Sequence, residues 1–179
     1  MIHDYVENLL SDEMNKSIID FVRFLPNWTM EPKYGTEELG ETKDAGVSIR
    51  CYTELEPFNG SPQILFLSQI ILNAFLYKTK NTYKNVELKR SYVNYYNQSS
   101  HCPMHVDGEL GAKEASLLVF LDSSKESFTQ IKDEKFYSKS GAAVAFDSSD
   151  EHFATGAIED SSRYTLNIMF TYDEMKYNA

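Results

Sequence analysis

The sequence predicts an α+β protein that is mainly β, with helices first and an antiparallel β half behind them. Three observations carry this. Apolar residues recur at helical spacing near residues 11–24 and again over 61–80. From Val86 onward the period changes to two. The candidate strands beyond that point are short and parted by turn residues, which favours a sandwich or barrel over βαβ units. A chain of 179 residues buries about 70% of its unfolded surface, so its core needs no metal or disulfide staple. One domain over 1–179 is expected, with helical and loop support in 1–85 and the β core in 86–172.

Met1–Val6 is short and mixed, compatible with a strand. Ser11 is placed to cap a helix running to about Phe24, with Met14, Ile18, Phe21 and Val22 at helical spacing. Pro26 ends it. Glu31–Gly60 is irregular, with Gly35, Gly40, Gly46, Gly60, Pro32 and Pro57, and seven acids against three bases. A functional lid and a solvated connector holding one strand at Val47–Tyr52 suit this composition equally. Ser61-Pro62 opens the clearest helix, a capping residue followed by proline at the first helical position, and it runs to about Lys80. Ile64, Leu65, Leu67, Ile70, Ile71, Ala74 and Phe75 surround most of that helix, so it is expected to be covered on more than one face and to back a sheet. Strands are expected at Val86–Tyr96, Ala115–Leu121, Phe128–Ile131, Lys135–Tyr137, Ala142–Asp147 and Arg163–Tyr172.

The charge excludes some partners. Lys and Arg number 17 and Asp and Glu 27, a net −10, which disfavours coating nucleic acid or gripping an anionic membrane. One basic stretch, Lys78–Arg90, reads as a solvated helix end and turn. Cys51 and Cys102 are too few for a disulfide scaffold, although one bridge stays open. The N-terminus lacks the basic start of an export signal. The most apolar window, Ile64–Leu76, is interrupted by Ser68, Gln69 and Asn73, short of the ~18 apolar residues that span a bilayer. A soluble, cytoplasmic chain is expected, and the sequence sets no oligomeric state.

Four histidines are present, His3, His101, His105 and His152. In His105-Val106-Asp107 an imidazole and a carboxylate stand two apart, and on an extended strand they share a face. His152, 47 residues on, offers a third ligand. Two histidines and a carboxylate form the facial triad of non-haem Fe(II) oxygenases, with open positions for a chelating cosubstrate and dioxygen. Such a short pattern is common by chance, and its flanks give it weight. Arg163 begins a strand in which Tyr164, Leu166, Ile168 and Phe170 form an apolar face. Arg163, Thr165, Asn167 and Met169 form the other, mostly polar, and in a barrel that face lines a cavity or solvent. An arginine there fits a carboxylate through a forked pair of charge-assisted hydrogen bonds. Tyr92, Asn94 and Tyr96 repeat the device on the preceding strand.

These residues resemble the 2-oxoglutarate- and Fe(II)-dependent oxygenases, in a compact form similar to the prolyl 4-hydroxylase type. The resemblance covers Tyr92–Tyr172 and is carried by Asn94-x-Tyr96, His105-x-Asp107, Gly141-Ala-Ala-Val-Ala-Phe146, His152 and Arg163-Tyr164. It implies a distorted double-stranded β-helix, or jelly roll, backed by the N-terminal helices. It implies that His105, Asp107 and His152 hold Fe(II). Arg163, helped by Tyr96 and Thr165, would bind the distal carboxylate of 2-oxoglutarate, with Asn94 near the keto-acid end and Leu118 in the pocket wall. The implied activity is hydroxylation of a C–H bond with O2, giving succinate and CO2, with ascorbate as an accessory reductant. The implied substrate is a peptidyl proline or a similar peptide, protein or small molecule.

Two rivals share parts of the pattern. AlkB-type demethylases of nucleic acid have a similar Asn-x-Tyr…His-x-Asp, but carry a second arginine six residues after the first, where this chain has Met169. A zinc hydrolase also uses two histidines and a carboxylate, but usually from a helical His-Glu-x-x-His, and Pro103 disfavours a helix between His101 and His105. His101 and Cys102 read as loop residues near the site entrance, and thiol catalysis is disfavoured because strand neighbours face opposite ways.

Overall fold

The computed structural model describes residues 2–25, 29–30, 47–52, 61–97, 101–124, 126–157 and 162–178. In chain order these form β1 (Ile2–Val6), α1 (Asp12–Arg23), β2 (Thr29–Met30), β3 (Val47–Tyr52), α2 (Pro62–Lys78), β4 (Thr82–Lys84), β5 (Glu87–Tyr96), β6 (Cys102–His105), β7 (Glu114–Phe120), β8 (Phe128–Ile131), β9 (Glu134–Tyr137), β10 (Ala143–Asp147), β11 (His152–Ala154), β12 (Arg163–Thr171) and β13 (Glu174–Lys176). The stretches 31–46 and 53–60, where a lid or connector is expected, lie outside the described residues, as does Pro26.

Ser11 caps α1, its hydroxyl accepting from the Met14 N–H at 3.2 Å. Asp12 and Glu13 in the first turn and Arg23 in the last complement the helix dipole. The buried face is Asn15, Ile18 and Val22. Met14 and Phe21, which share the helical spacing, are 46% and 40% exposed and lie off that face. Asn15 donates to Ser140 Oγ at 2.9 Å, and the Leu9 N–H donates to Gly141 O at 2.7 Å, which ties the helix entry to the turn before β10. Gly141 has φ +80°, and a Cβ there would lie 2.2 Å from Leu10 O, so the turn requires glycine.

Two expectations about α2 need correction. Ser61 occupies the cap position, but its hydroxyl donates to Gln63 Oε1 at 2.9 Å and caps no backbone N–H. Ile64, Ser68, Ile71, Leu72 and Phe75 are buried, whereas Phe66 and Tyr77 are 70% and 91% exposed. One face backs the sheet, and Ile70, 45% exposed, lies off it with Phe66 and Tyr77.

Pairing is antiparallel throughout. A seven-stranded sheet runs β1-β10-β7-β12-β5-β3-β2, a four-stranded sheet runs β6-β11-β8-β9, and β13 pairs with β4. β12 sits centrally between β7 and β5, and its alternation sorts the two cores. Tyr164, Leu166, Ile168 and Phe170 join Leu117, Val119 and Val93 under the helices, against Ile18, Val22, Ile64, Ile71 and Phe75. The opposite face of the large sheet looks toward the small one, where Leu118, Phe120, Val144 and Phe146 pack with Ile131 of β8. Two antiparallel sheets enclosing an inner face make the jelly roll. Among the described residues no helix is long and apolar enough to cross a membrane.

Candidate metal centre and anion pocket

His105, Asp107 and His152 converge: each offers one ligand atom, and these atoms lie within 4.8 Å of one another. His105 ends β6 and His152 begins β11, and the two are direct partners across the ladder. Their ring centroids are 4.2 Å apart. Asp107 lies beyond the end of β6, in the bend that follows, and not on an extended strand. Ser148 O accepts from the N–H groups of both Asp107 (2.8 Å) and Gly108 (2.9 Å), which folds the chain back so the carboxylate meets the imidazoles. The nearest oxygens of Asp107 are 3.7 Å from His105 Nε2 and 3.7 Å from His152 Nε2.

Backbone carbonyls orient both rings. His105 Nδ1 is 2.8 Å from Pro103 O, and His152 Nδ1 is 2.9 Å from Asp150 O. A carbonyl only accepts, so each Nδ1 carries the proton and each Nε2 keeps its lone pair toward Asp107. Burial pushes His152 down to about 4 against the pull of Asp107, keeping the imidazole neutral. Burial alone would raise Asp107; His152, Arg90, the Ser116 hydroxyl and His105 outweigh it and hold the carboxyl below its ordinary value. Arg90 Nη2 donates to Asp107 Oδ1 at 2.9 Å and to Asp107 O at 3.0 Å, and Ser116 Oγ donates to Oδ2 at 2.5 Å. Arg90 therefore does not belong to a solvated basic strip. Sequence reasoning missed it and Ser116, although the inward period of β5 (Arg90, Tyr92, Asn94, Tyr96) contained the signal.

Arg163 is fully buried at the start of β12, directly opposite Tyr96. Its Nε donates to Ser138 Oγ (2.9 Å), Nη1 to Thr155 O (2.9 Å) and Nη2 to Thr129 Oγ1 (2.6 Å). The guanidinium carbon lies 5.3 Å from the Tyr96 ring centre and 6.0 Å from that of Phe120. No described carboxylate forms an ion pair with it. Burial lowers its pKa, with Tyr96, Asp122 and Cys102 opposing. A buried cation whose described hydrogen-bond partners are all neutral keeps its charge uncompensated, which suits it electrostatically to an anion.

The remaining predicted residues lie on the same inner face. Tyr96 is 6% exposed, Thr165 1% and Leu118 7%. Asn94 is half-buried and is register partner to Thr165. Cys102 is the site residue that the sequence placed wrongly. It belongs to β6, not to a loop, and its Sγ is 3.5 Å from His105 Nδ1. Burial pushes this free thiol up to about 12, so it is no nucleophile at neutral pH. The expected gap at Met169 is also partly filled, because Met169 is the register partner of Arg90 and a guanidinium reaches that level from β5.

No family model matches the chain, and no curated protein matches it. Solved structures do. A prolyl 4-hydroxylase from Pseudomonas putida superposes with a TM-score of 0.61 at 12% identity, covering 96% of this chain and 92% of that one. A 2OG-Fe(II) oxygenase family oxidoreductase from Burkholderia pseudomallei gives 0.63 at 16% identity, over 95% and 84%. The non-haem α-ketoglutarate-dependent epimerase SnoN of nogalamycin biosynthesis gives 0.69 at 10% identity, over 98% and 80%. The chain thus has the double-stranded β-helix fold of the 2-oxoglutarate- and Fe(II)-dependent oxygenases.

Proposed function

We propose that this protein is an Fe(II)- and 2-oxoglutarate-dependent oxygenase that hydroxylates a C–H bond, with succinate and CO2 as coproducts. One observation carries the reading. Two imidazoles whose Nε2 atoms turn toward one carboxylate converge with it in the same barrel as a fully buried arginine that has no described carboxylate partner. A zinc hydrolase needs the first feature and not the second. The donor set fits a divalent ion that takes nitrogen and oxygen ligands and keeps positions open.

In this reading His105, Asp107 and His152 hold the metal. Arg163 holds the distal carboxylate of 2-oxoglutarate, with the Tyr96 ring and Thr165 beside it, Asn94 near the keto-acid end and Leu118 in the wall. Bound iron supplies the oxidative decarboxylation of the keto acid and the oxidation of the substrate C–H bond. The residues of this chain bind and orient. Carbonyls 103 and 150 fix the ring tautomers, Arg90 and Ser116 fix the carboxylate, and Phe120, Val144 and Phe146 keep the interior dry. A peptidyl proline or similar peptide group is the first substrate to try, supported by the likeness to the Pseudomonas hydroxylase. Placement of Arg90 beside Met169 also keeps a nucleic-acid demethylase in view, against the net charge of −10.

The test is succinate release from 2-oxoglutarate by the Fe(II)-loaded protein, in air and under anaerobic conditions. Oxygen-dependent succinate supports the reading, and none in air removes it. Mass spectrometry of a proline-rich peptide library and of methylated oligonucleotides in the same assay separates the two substrate classes.

A further inference from the structure

We propose that the exposed face of α2 is a self-association surface, on which a second copy of this chain lays its own α2 antiparallel about a twofold axis at Ile70. The run Pro62–Tyr77 has no charged side chain, in a chain that is 25% charged with a net −10. That net charge opposes contact between copies, so a self-contact needs a face without charge. The exposed residues of this face are also not scattered. Gln63, Phe66, Ile70, Asn73 and Tyr77 recur at alternating intervals of three and four, the period of a helix-to-helix seam. The buried residues Ile64, Ser68, Ile71 and Phe75 repeat at the same intervals and face the sheet. The helix therefore carries two seams, one filled by its own fold and one bare. On the bare one Phe66 is 70%, Ile70 45% and Tyr77 91% exposed, and large apolar side chains grouped in this way mark an interaction site.

What makes the occupant a second copy is that this helix supplies both a knob and a hole. The knob is Tyr77, near its C-terminal end. The hole is a groove of about 560 Å³ at its N-terminal end, where Pro62, Leu65, Phe66 and Gln69 face Val86, Glu87 and Leu88. A twofold contact requires a patch that complements itself, residue i meeting j while j meets i. Antiparallel alignment about Ile70 sets that residue against its own copy and brings the partner's Tyr77 to the level of Gln63, beside the groove. The ring then leaves water for apolar walls, and Glu87 at the rim offers an acceptor for the phenol. The same contact forms again at the other end. Asn73, the polar member inside the seam, lowers affinity and fixes register. A helix of 17 residues is only about 25 Å long at 1.5 Å per residue. One such pair buries less than the ~1,600 Å² of a standard interface, so the dimer is expected to be reversible.

The experiment is analytical ultracentrifugation of the full chain over a concentration series, with circular dichroism to verify that each variant is folded. The wild-type mass is expected to rise from 20.6 kDa toward twice that value. Phe66→Glu and Ile70→Glu put like charges into the seam and should each weaken the dimer by about tenfold or more. Tyr77→Ala, which withdraws the knob without adding charge, should weaken it as well. A second measurement reads the geometry. Ile70→Cys, on the axis, should join two copies by a disulfide on mild oxidation, above the level of the parent with its Cys51 and Cys102, whereas Asp20→Cys on α1 should not. A mass that stays at 20.6 kDa up to about 1 mM overturns the proposal. So does a dimer that both glutamate variants leave intact, or equal cross-linking at the two cysteine positions. A chain that stays monomeric but sediments with phosphatidylcholine vesicles, and loses this with Phe66→Glu, assigns the face to lipid and overturns the proposal too.

Discussion

Replacing Arg163 by methionine separates binding from stability, because the two should move in different directions. In the free protein the guanidinium is wholly buried, held by two hydroxyls and the Thr155 carbonyl. Removing it leaves Ser138 and Thr129 free to rotate their hydroxyls, so the main unsatisfied group is one carbonyl, a cost of about 1–3 kcal/mol. Against this stands the relief of a buried unpaired ion, which costs several kcal/mol even after relaxation. The variant should therefore be as stable as the parent to within about 2 kcal/mol, or more stable. Binding should suffer instead. Losing one partner of a buried charge pair costs about 2–5 kcal/mol, which is about 30-fold to a few thousand-fold in the Kd for 2-oxoglutarate. Calorimetry on the Mn(II)-loaded protein reads the affinity, and urea unfolding of the metal-free protein reads the stability. Unchanged affinity, or destabilisation beyond about 4 kcal/mol, would show that Arg163 is a structural cation and not a ligand anchor.

Asp107→Asn should abolish tight Mn(II) binding while the protein stays folded, since it removes the only anionic ligand of the triad; calorimetry and circular dichroism read the two effects. At Gly108 a Cβ would lie 2.4 Å from Ser148 Oγ and 2.7 Å from Glu114 Oε2, so Gly108→Ala should shift the bend and weaken Mn(II) binding by about tenfold, as outer-shell changes do. Burial pushes the Asp122 carboxyl up to about 6 from 3.8. A carboxyl raised in the folded state is favoured when protonated, so its contribution is present below about pH 4 and is lost as pH rises to about 6. Asp122→Asn, whose amide oxygen can still accept the Tyr164 N–H, should stabilise the protein at pH 7 by at most about 3 kcal/mol, with the gain vanishing near pH 4 in urea melts.

The period-two segments were legible because each strand buries one face under helices and the other inside the barrel. In β12 the sequence separates Tyr164, Leu166, Ile168 and Phe170 from Arg163, Thr165, Asn167 and Met169, and the structure keeps them on opposite faces. β4, β11 and β13 were not legible, because three residues hold too little alternation to read, and β6 was not because Pro103 interrupts it. At the site, His105, Asp107, His152 and Arg163 could be found from residue type and spacing. Arg90 was missed because its charge resembled the neighbouring lysines, although it keeps the inward period of Tyr92, Asn94 and Tyr96. Cys102 was misplaced because adjacency in sequence says little about a ring that folds back from His105, three positions on, to within 3.5 Å of its sulfur. On α2 the apolar excess suggested cover on more than one face, yet Ile70 and Phe66 stand exposed.

The rings of His105 and His152 are steered by peptide carbonyls at positions 103 and 150. A carbonyl belongs to every amino acid, so no point substitution deletes this control; only a change of chain path does. The orientation of the two rings, unlike that of Asp107, is thereby written into the backbone rather than into neighbouring side chains. The side chains of the two residues that supply those carbonyls can therefore change without releasing either ring.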